Sequence, residues 1–484
     1  MTLRHWARRL TLAVAVLSPF ACAMPPAQED LLGDRDAVGT LLAGCESQLP
    51  DTVLEQAAST PQRRLFIRRI NALETALTRK PLIPGNRVQL LIDGPETHGA
   101  QLEAIRRARH SIHMTTYIIT DDRIGHRYLK ALGERARAGV KVRLMFDSIG
   151  GQEAGAEFRQ QLEAAGVELH EYAPANPLKD PEVWRVTHRN HRKLLIVDGR
   201  VAFTGGINIS DEYLHSSHAG SGSRSSGGFL SKGKGVAHGS WRDTHIRVEG
   251  PAVAEFQRVF LDMWKKEHGP IEDDAHYWPV LKERGHDLVR VVAQNGNDLQ
   301  GALLEPLLPS GGGRKPKFAI YGSYMAAIGE AHERVWITQA YFVPNSEFME
   351  ALERAAKRGV DVRLLVAGQS DIGLILHASR RHYAELLEAG VHIFEYHGPV
   401  LHAKTAVIDG VWSTVGSSNL DYRSFIHNDE ANAIVLGEDF AADMERTFRD
   451  DLQRSQEIDP AAWKDRPLLD RIKQQATVLL KYWI

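Results

Sequence analysis

Cysteine is nearly absent. Cys22 and Cys45 are the only two in 484 residues, so a disulfide framework is excluded. Neither sign of charge is in excess: 59 Lys and Arg stand against 61 Asp and Glu, a net charge of −2. That balance removes any general electrostatic reason to bind nucleic acid, although a local basic groove stays open. Apolar runs that could cross a bilayer are also missing. The one candidate, Leu10 to Phe20, falls short of the roughly 20 residues a membrane span needs. With 43% hydrophobic and 25% charged residues, the composition is that of a folded soluble chain, not a disordered or collagen-like one. The length suggests two or more domains, each able to bury its own core.

The first 23 residues have the order of an export signal. Arg4, Arg8 and Arg9 form a basic leader, Leu10 to Phe20 an uncharged apolar stretch, and Ala21-Cys22-Ala23 a small-residue cleavage site. Lipid attachment at Cys22 is the weaker alternative, because Pro19 and Phe20 suit such a site poorly.

The remainder reads as a duplicated α/β unit. QLEAIRRARHSIHMTTYII, RYLKALGERARAGVKVRLMFD and FRQQLEAAGVELHEY in the first half match YMAAIGEAHERVWITQAYFV, FMEALERAAKRGVDVRLLVAG and YAELLEAGVHIFEYH in the second. Each set alternates helices with apolar, β-rich runs, which predicts flanking helices and a mixed, mostly parallel sheet. Gly139 and Gly359 end equivalent helices before strands at 140–146 and 360–366. The expected organisation is an N-terminal helical segment at 24–84, a first domain at 85–290, a second at 291–459 and an amphipathic C-terminal helix at 460–484. The Gly- and Ser-rich stretch 215–240 reads as an insertion, and PSGGGRKPK at 309–317 as a boundary loop.

Chemistry concentrates in two matching strings. HRKLLIVDGRVAFTGGIN carries His191, Lys193, Asp198, Gly205, Gly206 and Asn208. LHAKTAVIDGVWSTVGSSN carries His402, Lys404, Asp409, Gly416, Ser417 and Asn419. Both obey HxKxxxxD followed by G[GS]xN. In an extended chain His and Lys two apart share a face, so an imidazole and an ammonium can address one phosphate. The Gly-x-Asn segment permits close backbone approach and adds an amide donor. One HxKxxxxD match is expected by chance in roughly one chain in twenty. Two, each followed by G[GS]xN at the same point of a repeat, are far rarer.

On these motifs the chain resembles the phospholipase D superfamily, whose hallmark is this duplicated motif, from about Gly85 to about Asp459. GSWRDTHIRVEGP, ITQAYFVPN and VGSSNLDYRSFIHNDEAN make it most similar to bacterial cardiolipin synthases. The resemblance implies two phospholipase D-like domains packed with pseudo-twofold symmetry around one active site. It implies that His191 attacks phosphorus to form a phosphohistidine while His402 serves as general acid and base. The catalytic set would be His191, Lys193, Asp198, His402, Lys404 and Asp409, with Asn208, Asn419 and Ser417 binding phosphate. Asp198 and Asp409 are expected to stabilise the surrounding loop and sheet more than to touch substrate. Glu430, 28 residues after His402 (430 − 402), resembles the family's orienting carboxylate. Asp243, 52 residues after His191 (243 − 191), is its counterpart, the excess matching the insertion. No cofactor or metal is expected, since the lysines supply the positive charge and no compact ligand set accompanies His188-x-x-His191.

Phospholipid substrates, phosphatidylglycerol among them, and a membrane surface are the expected partners; nucleic acid is not. Leu468, Leu469, Ile472, Ala476, Leu479, Leu480 and Trp483 fall near helical spacing and could form an interfacial helix or pack on the core. The preferred activity is phosphatidyl transfer making cardiolipin, at the periplasmic side of a bacterial inner membrane. The alternatives are hydrolysis to phosphatidate, an exported nuclease, and a non-catalytic scaffold.

Overall fold

The computed structural model describes residues 49–174, 188–217, 240–271, 274–296, 318–370 and 373–467, together with 471, 474 and 477. The expected leader, most of the insertion, the boundary loop and the apolar C-terminal positions lie outside these residues. Among the described residues no helix is long and apolar enough to cross a membrane.

Two helices, α1 (Asp51–Ala57) and α2 (Pro61–Thr78), precede the repeat. The first half runs β1 (Ile83–Ile92), α3 (Asp93–Arg107), β2 (Ser111–Thr116), α4 (Arg123–Arg137), β3 (Lys141–Asp147), α5 (Gly155–Ala164), β4 (Glu168–Tyr172), β5 (Leu194–Val197), β6 (Val201–Gly205), β7 (Thr244–Glu249) and α6 (Val253–His268). The second runs β8 (Asp287–Gln294), α7 (Ala319–Glu330), β9 (Arg334–Gln339), β10 (Phe342–Val343), α8 (Ser346–Lys357), β11 (Asp361–Ala367), α9 (Gly373–Arg380), α10 (Tyr383–Glu388), β12 (His392–Tyr396), β13 (Lys404–Ile408), β14 (Trp412–Gly416), β15 (Leu420–Asp421), β16 (Glu430–Leu436), α11 (Glu438–Leu452) and β17 (Ser455–Glu457), before α12 (Pro460–Lys464). Local chemistry repeats with the elements. Asp122 caps α4 through Gly125 N–H at 2.8 Å, and Asn345 caps α8 through Phe348 N–H at 3.0 Å. Gly139 and Gly359 follow those helices at φ +86° and +89°, the left-handed turn that glycine adopts without penalty.

Fifteen strands form one sheet in the order β17-β12-β11-β9-β13-β14-β16-β8-β1-β7-β6-β5-β2-β3-β4. The α/β class and the repeat are as expected, but the sheet is mixed and mostly antiparallel. Parallel pairing in it is confined to β2–β3–β4 and β9–β11–β12. The reason lies in the connections. Parallel neighbours need a helical crossover, whereas the motif strands follow one another through tight turns. Asp198-Gly199 (φ +53°, +61°) joins β5 to β6, and Asp409-Gly410 (φ +51°, +63°) joins β13 to β14. Positive φ at both central residues is the hairpin signature of Asp-Gly. The antiparallel pair β1–β8 sits at the centre and joins the halves. Strand β8 runs across the 290/291 boundary, so the second half begins by Asp287.

Side chains alternate across this sheet, and both faces are covered. One apolar cluster runs through both halves beneath α6 and α11, from Phe256, Phe260 and Trp264 to Trp336, Phe440 and Phe448. A second, with Leu102, Tyr128, Leu132 and Phe158, fills the opposite face of the first half. Each fully buried side chain of this size contributes about 1.5–3 kcal/mol. The N-terminal helices are not a free-standing segment. Glu74 of α2 accepts from Arg290 Nη1 at 2.8 Å and Trp412 Nε1 at 2.9 Å, all three fully buried, and so pins α2 to the second half.

Candidate active site

The two HxK segments are extended arms leading into β5 and β13, and each is bonded across the seam. His191 N–H donates to Asp429 C=O at 2.9 Å, and Asp429 N–H donates to Arg189 C=O at 2.8 Å. In the other half His402 N–H donates to Arg242 C=O at 2.7 Å, and Arg242 N–H to Val400 C=O at 2.8 Å. Buried arginines fix the acid-bearing segments. Arg242 forks onto both Asp451 oxygens at 2.8 Å, and Arg192 donates to Glu430 C=O at 3.2 Å and Gln294 C=O at 2.7 Å.

This exchange crosses the imidazole–carboxylate pairs. His191 Nδ1 lies 3.0 and 3.1 Å from the two Glu430 oxygens, and His402 Nδ1 lies 2.7 Å from Asp243 Oδ2. Each acid therefore orients the histidine of the other half, not the one from which its spacing is counted. Glu430 is itself held: Ser417 Oγ donates to one oxygen at 2.5 Å and Asn428 Nδ2 to the other at 3.3 Å. Asp243 accepts Thr244 N–H at 2.7 Å and presses on Gly206, where an added Cβ would sit 2.2 Å from its carboxylate. The Gly206/Ser417 difference thus follows acid length. The shorter Asp243 packs against bare backbone, while the longer Glu430 leaves room for a hydroxyl.

Aromatic rings wall the site. Tyr117 meets His191 edge-on at 5.1 Å between centroids. Tyr213, Trp241 and Tyr341 stand 6.1, 5.0 and 6.4 Å from His402. Lys193 Nζ donates to His191 C=O at 2.7 Å and lies 5.3 Å from the Tyr117 ring centre; Lys404 Nζ donates to His402 C=O. Burial governs the protonation of these groups. It lowers His191 to about 4 and Lys193 to about 7 against the pull of Glu430, and raises Asp243 to about 7 against Lys404. His402 is lowered well below the usual imidazole range by burial, then by Lys404, Lys193 and His191. The two imidazoles and two ammoniums thus feel one another across the seam. The arrangement favours an anionic guest, whose charge would restore the protons that burial removes.

Four residues of the expected site set, Asp198, Asp409, Asn208 and Ser417, are engaged by the protein itself. Asp198 and Asp409 do not line the site. Asp198 accepts three backbone N–H groups, from Arg109, His110 and Ser111, and Asp409 accepts those of His332, Glu333 and Arg334. Each motif aspartate ties its hairpin to the start of the neighbouring strand. Asn208 is held by structure: Oδ1 accepts Ile118 N–H at 3.1 Å and Nδ2 donates to Tyr213 Oη at 3.4 Å. Ser417 acts on Glu430 and not on open space. Asn419 remains suited to a ligand, with a buried Oδ1 that has no hydrogen-bond partner among the described residues. Tyr117, Tyr213, Trp241, Tyr341 and Asp429 were not singled out from sequence. The repeat held a signal for two of them, since Tyr117 and Tyr341 follow equivalent strands in TTYII and QAYFV. Among the described residues no set of three His, Cys, Asp or Glu gathers as metal ligands, and His188 Nε2 instead meets Asp429 Oδ1 at 2.7 Å.

Known proteins resemble this chain in sequence and in fold. The family described as "Cardiolipin synthase, PLD-like domain" matches residues 102–218 and 324–452, one segment in each half. A cardiolipin synthase of Geobacillus kaustophilus is 33% identical over 430 residues, covering 88% of this chain and 77% of that one. Cardiolipin synthase 2 of Bacillus anthracis is 34% identical over 391 residues, covering 81% and 69%. The crystal structure of a phosphatidylserine synthase from Haemophilus influenzae superposes with a TM-score of 0.56 at 13% identity, over 86% of this chain and all of that one, which shows a shared fold. By sequence identity, by the doubled domain match and by fold, this chain belongs to the cardiolipin synthase family of phospholipase D-like phosphatidyltransferases.

Proposed function

We propose that this chain transfers a phosphatidyl group from one phospholipid to a hydroxyl of another, with phosphatidylglycerol as acceptor and cardiolipin as product. The observation that carries the reading is the pair of crossed imidazole–carboxylate contacts, His191–Glu430 and His402–Asp243, beside buried Lys193 and Lys404. With Nδ1–H given to its carboxylate, each ring keeps Nε2 for chemistry. His191 Nε2 attacks phosphorus. The N–P bond forms, the P–O bond to the headgroup breaks, and that oxygen takes a proton from His402. The acceptor hydroxyl then gives its proton to His402, its oxygen bonds to phosphorus, and the N–P bond breaks. Lys193 and Lys404 stabilise the phosphoryl oxygens, for which each donor supplies on the order of 10²–10³ in rate. The names of these relatives support a cardiolipin product. The basic leader and short apolar stretch support an exported, peripheral enzyme on the periplasmic side of a bacterial inner membrane.

Thin-layer chromatography of purified enzyme with phosphatidylglycerol vesicles tests this. Cardiolipin with released glycerol is expected. Phosphatidate in place of cardiolipin would make the enzyme a hydrolase, and absence of lipid turnover would sink the reading. Mass spectrometry of reactions quenched in denaturant at alkaline pH, where an N–P bond survives, should place the phosphatidyl adduct on His191.

A further inference from the structure

The two catalytic imidazoles are not held alike. His191 Nδ1 faces two carboxylate oxygens, both from Glu430. His402 Nδ1 faces one, Asp243 Oδ2 at 2.7 Å, and a phenol oxygen, Tyr213 Oη at 3.1 Å. Tyr213 is fully buried and cannot drift. It ends the short turn Asp211–Tyr213, whose Asp211 carboxylate accepts Ile124 N–H at 3.0 Å. Trp241 N–H donates to Glu212 C=O at 2.9 Å, and Trp241 packs at 5.5 Å from the Tyr213 ring. The α3 backbone is so close that a Cβ on Gly94 would lie 1.6 Å from Tyr213 C=O.

We propose that Tyr213 is a positioning residue for His402. Its hydroxyl oxygen is the second acceptor for the Nδ1 proton and sets how readily the ring gives up and retakes the proton on Nε2. The proposal rests on the double-displacement reading above and deepens it. A phenol oxygen is a weaker, uncharged acceptor than the second carboxylate oxygen found at His191. It fixes the ring plane with less negative charge, which suits a residue that must release its proton to a leaving alcohol in one step and recover it in the next. Other charged and titratable groups around His402 are Asp243, Lys404, Lys193 and His191, with Tyr341 at its edge. The amide of Asn208, donating to Tyr213 Oη, ties the G[GS]xN segment of the first half to the histidine of the second.

Leaving-group dependence tests the idea. Two donor lipids are compared, phosphatidylglycerol and the p-nitrophenyl ester of phosphatidic acid, whose leaving group needs no proton. Tyr213→Phe keeps the ring and removes the hydroxyl. The expected result is a fall of about tenfold in kcat with phosphatidylglycerol, part of the 10²–10⁴ that general acid catalysis supplies. The limb of the kcat–pH profile that follows His402 should move to lower pH, while the p-nitrophenol burst stays at the wild-type rate. An equal loss with both lipids, or an unmoved profile, overturns the proposal. Should Tyr213→Phe prove unfolded by its melting curve, a fluorotyrosine at 213 serves instead. Its weaker acceptor oxygen should move the same limb the same way by a smaller amount, and no movement overturns the proposal. If the wild-type enzyme turns over neither lipid, it is the phosphatidyl-transfer reading that fails; if it turns over both and Tyr213→Phe matches it, only the role of Tyr213 fails.

Discussion

Glu430 holds the ring of His191 through two contacts of 3.0 and 3.1 Å, although 239 residues separate them and they belong to different halves of the repeat. Asp243 does the same for His402 across 159 residues. Each half supplies one imidazole and the acid that orients the other half's ring, so neither half holds a complete imidazole–carboxylate pair.

The crossing separates the two acids kinetically. Glu430→Gln should slow phosphoenzyme formation even with a p-nitrophenyl donor, because the attacking ring loses its charged partner. Asp243→Asn should spare that burst and slow turnover of phosphatidylglycerol, each loss about 10²-fold or more. Quenched-flow detection of p-nitrophenol alongside steady-state product release distinguishes them. Identical behaviour of the two variants would mean the pairs do not divide the labour.

Gly206 and Ser417 occupy equivalent places but should not exchange freely. Gly206→Ser puts a Cβ within about 2 Å of the Asp243 carboxylate and should nearly abolish activity. Ser417→Gly removes one hydrogen bond to a charged group and should cost about 1.5–3 kcal/mol of support for Glu430, with the fold retained. Activity assays with circular dichroism on both variants check the asymmetry.

The pH profile should carry the mark of Lys193. Burial lowers its ammonium to about 7, so the charged form that grips phosphate is present below that pH and lost above it. The kcat/KM profile, which reports the free enzyme, should therefore show a basic limb that falls near 7 from Lys193, above the fall that His402 sets at lower pH. In Lys193→Arg, whose guanidinium stays protonated, that limb should move upward even if the rate drops. A limb unmoved in Lys193→Arg would assign it to another group.

The motif aspartates should behave as structural residues. Asp198→Asn keeps a residue that tolerates positive φ but presents an amide to the N–H groups of Arg109, His110 and Ser111. A loss of about 1–3 kcal/mol in stability is expected, with activity per folded molecule within a few-fold of wild type. Urea unfolding and active-site titration measure the two separately. Inactivity in a fully stable variant would return Asp198 to the catalytic set.

Glu74→Ala should unfold the protein more readily while leaving the site's chemistry alone. It strands the fully buried Arg290 and Trp412 Nε1 without their shared carboxylate, a change worth about 3–5 kcal/mol. Chemical denaturation detects it, and an unchanged midpoint would show that α2 is dispensable.

Much of this molecule was legible in one dimension. The doubled HxKxxxxD and G[GS]xN strings and the paired helix ends at Gly139 and Gly359 come from residue identity and spacing, and the acids Asp243 and Glu430 from the family resemblance those strings carry. The Asp-Gly pairs within the motifs turn as tight hairpins, a signal that the reading of apolar alternation passed over, and they make the motif strands antiparallel where parallel strands were expected. What the chain order could not assign was partnership. Which acid meets which histidine, and how Tyr213 comes to rest on His402, depend on contacts between residues 159 to 239 positions apart. Spacing along a chain constrains only neighbours. The central β1–β8 pairing and the interior packed beneath both halves bring distant segments within hydrogen-bond range, and only the folded molecule selects among the pairings that sequence symmetry leaves equal.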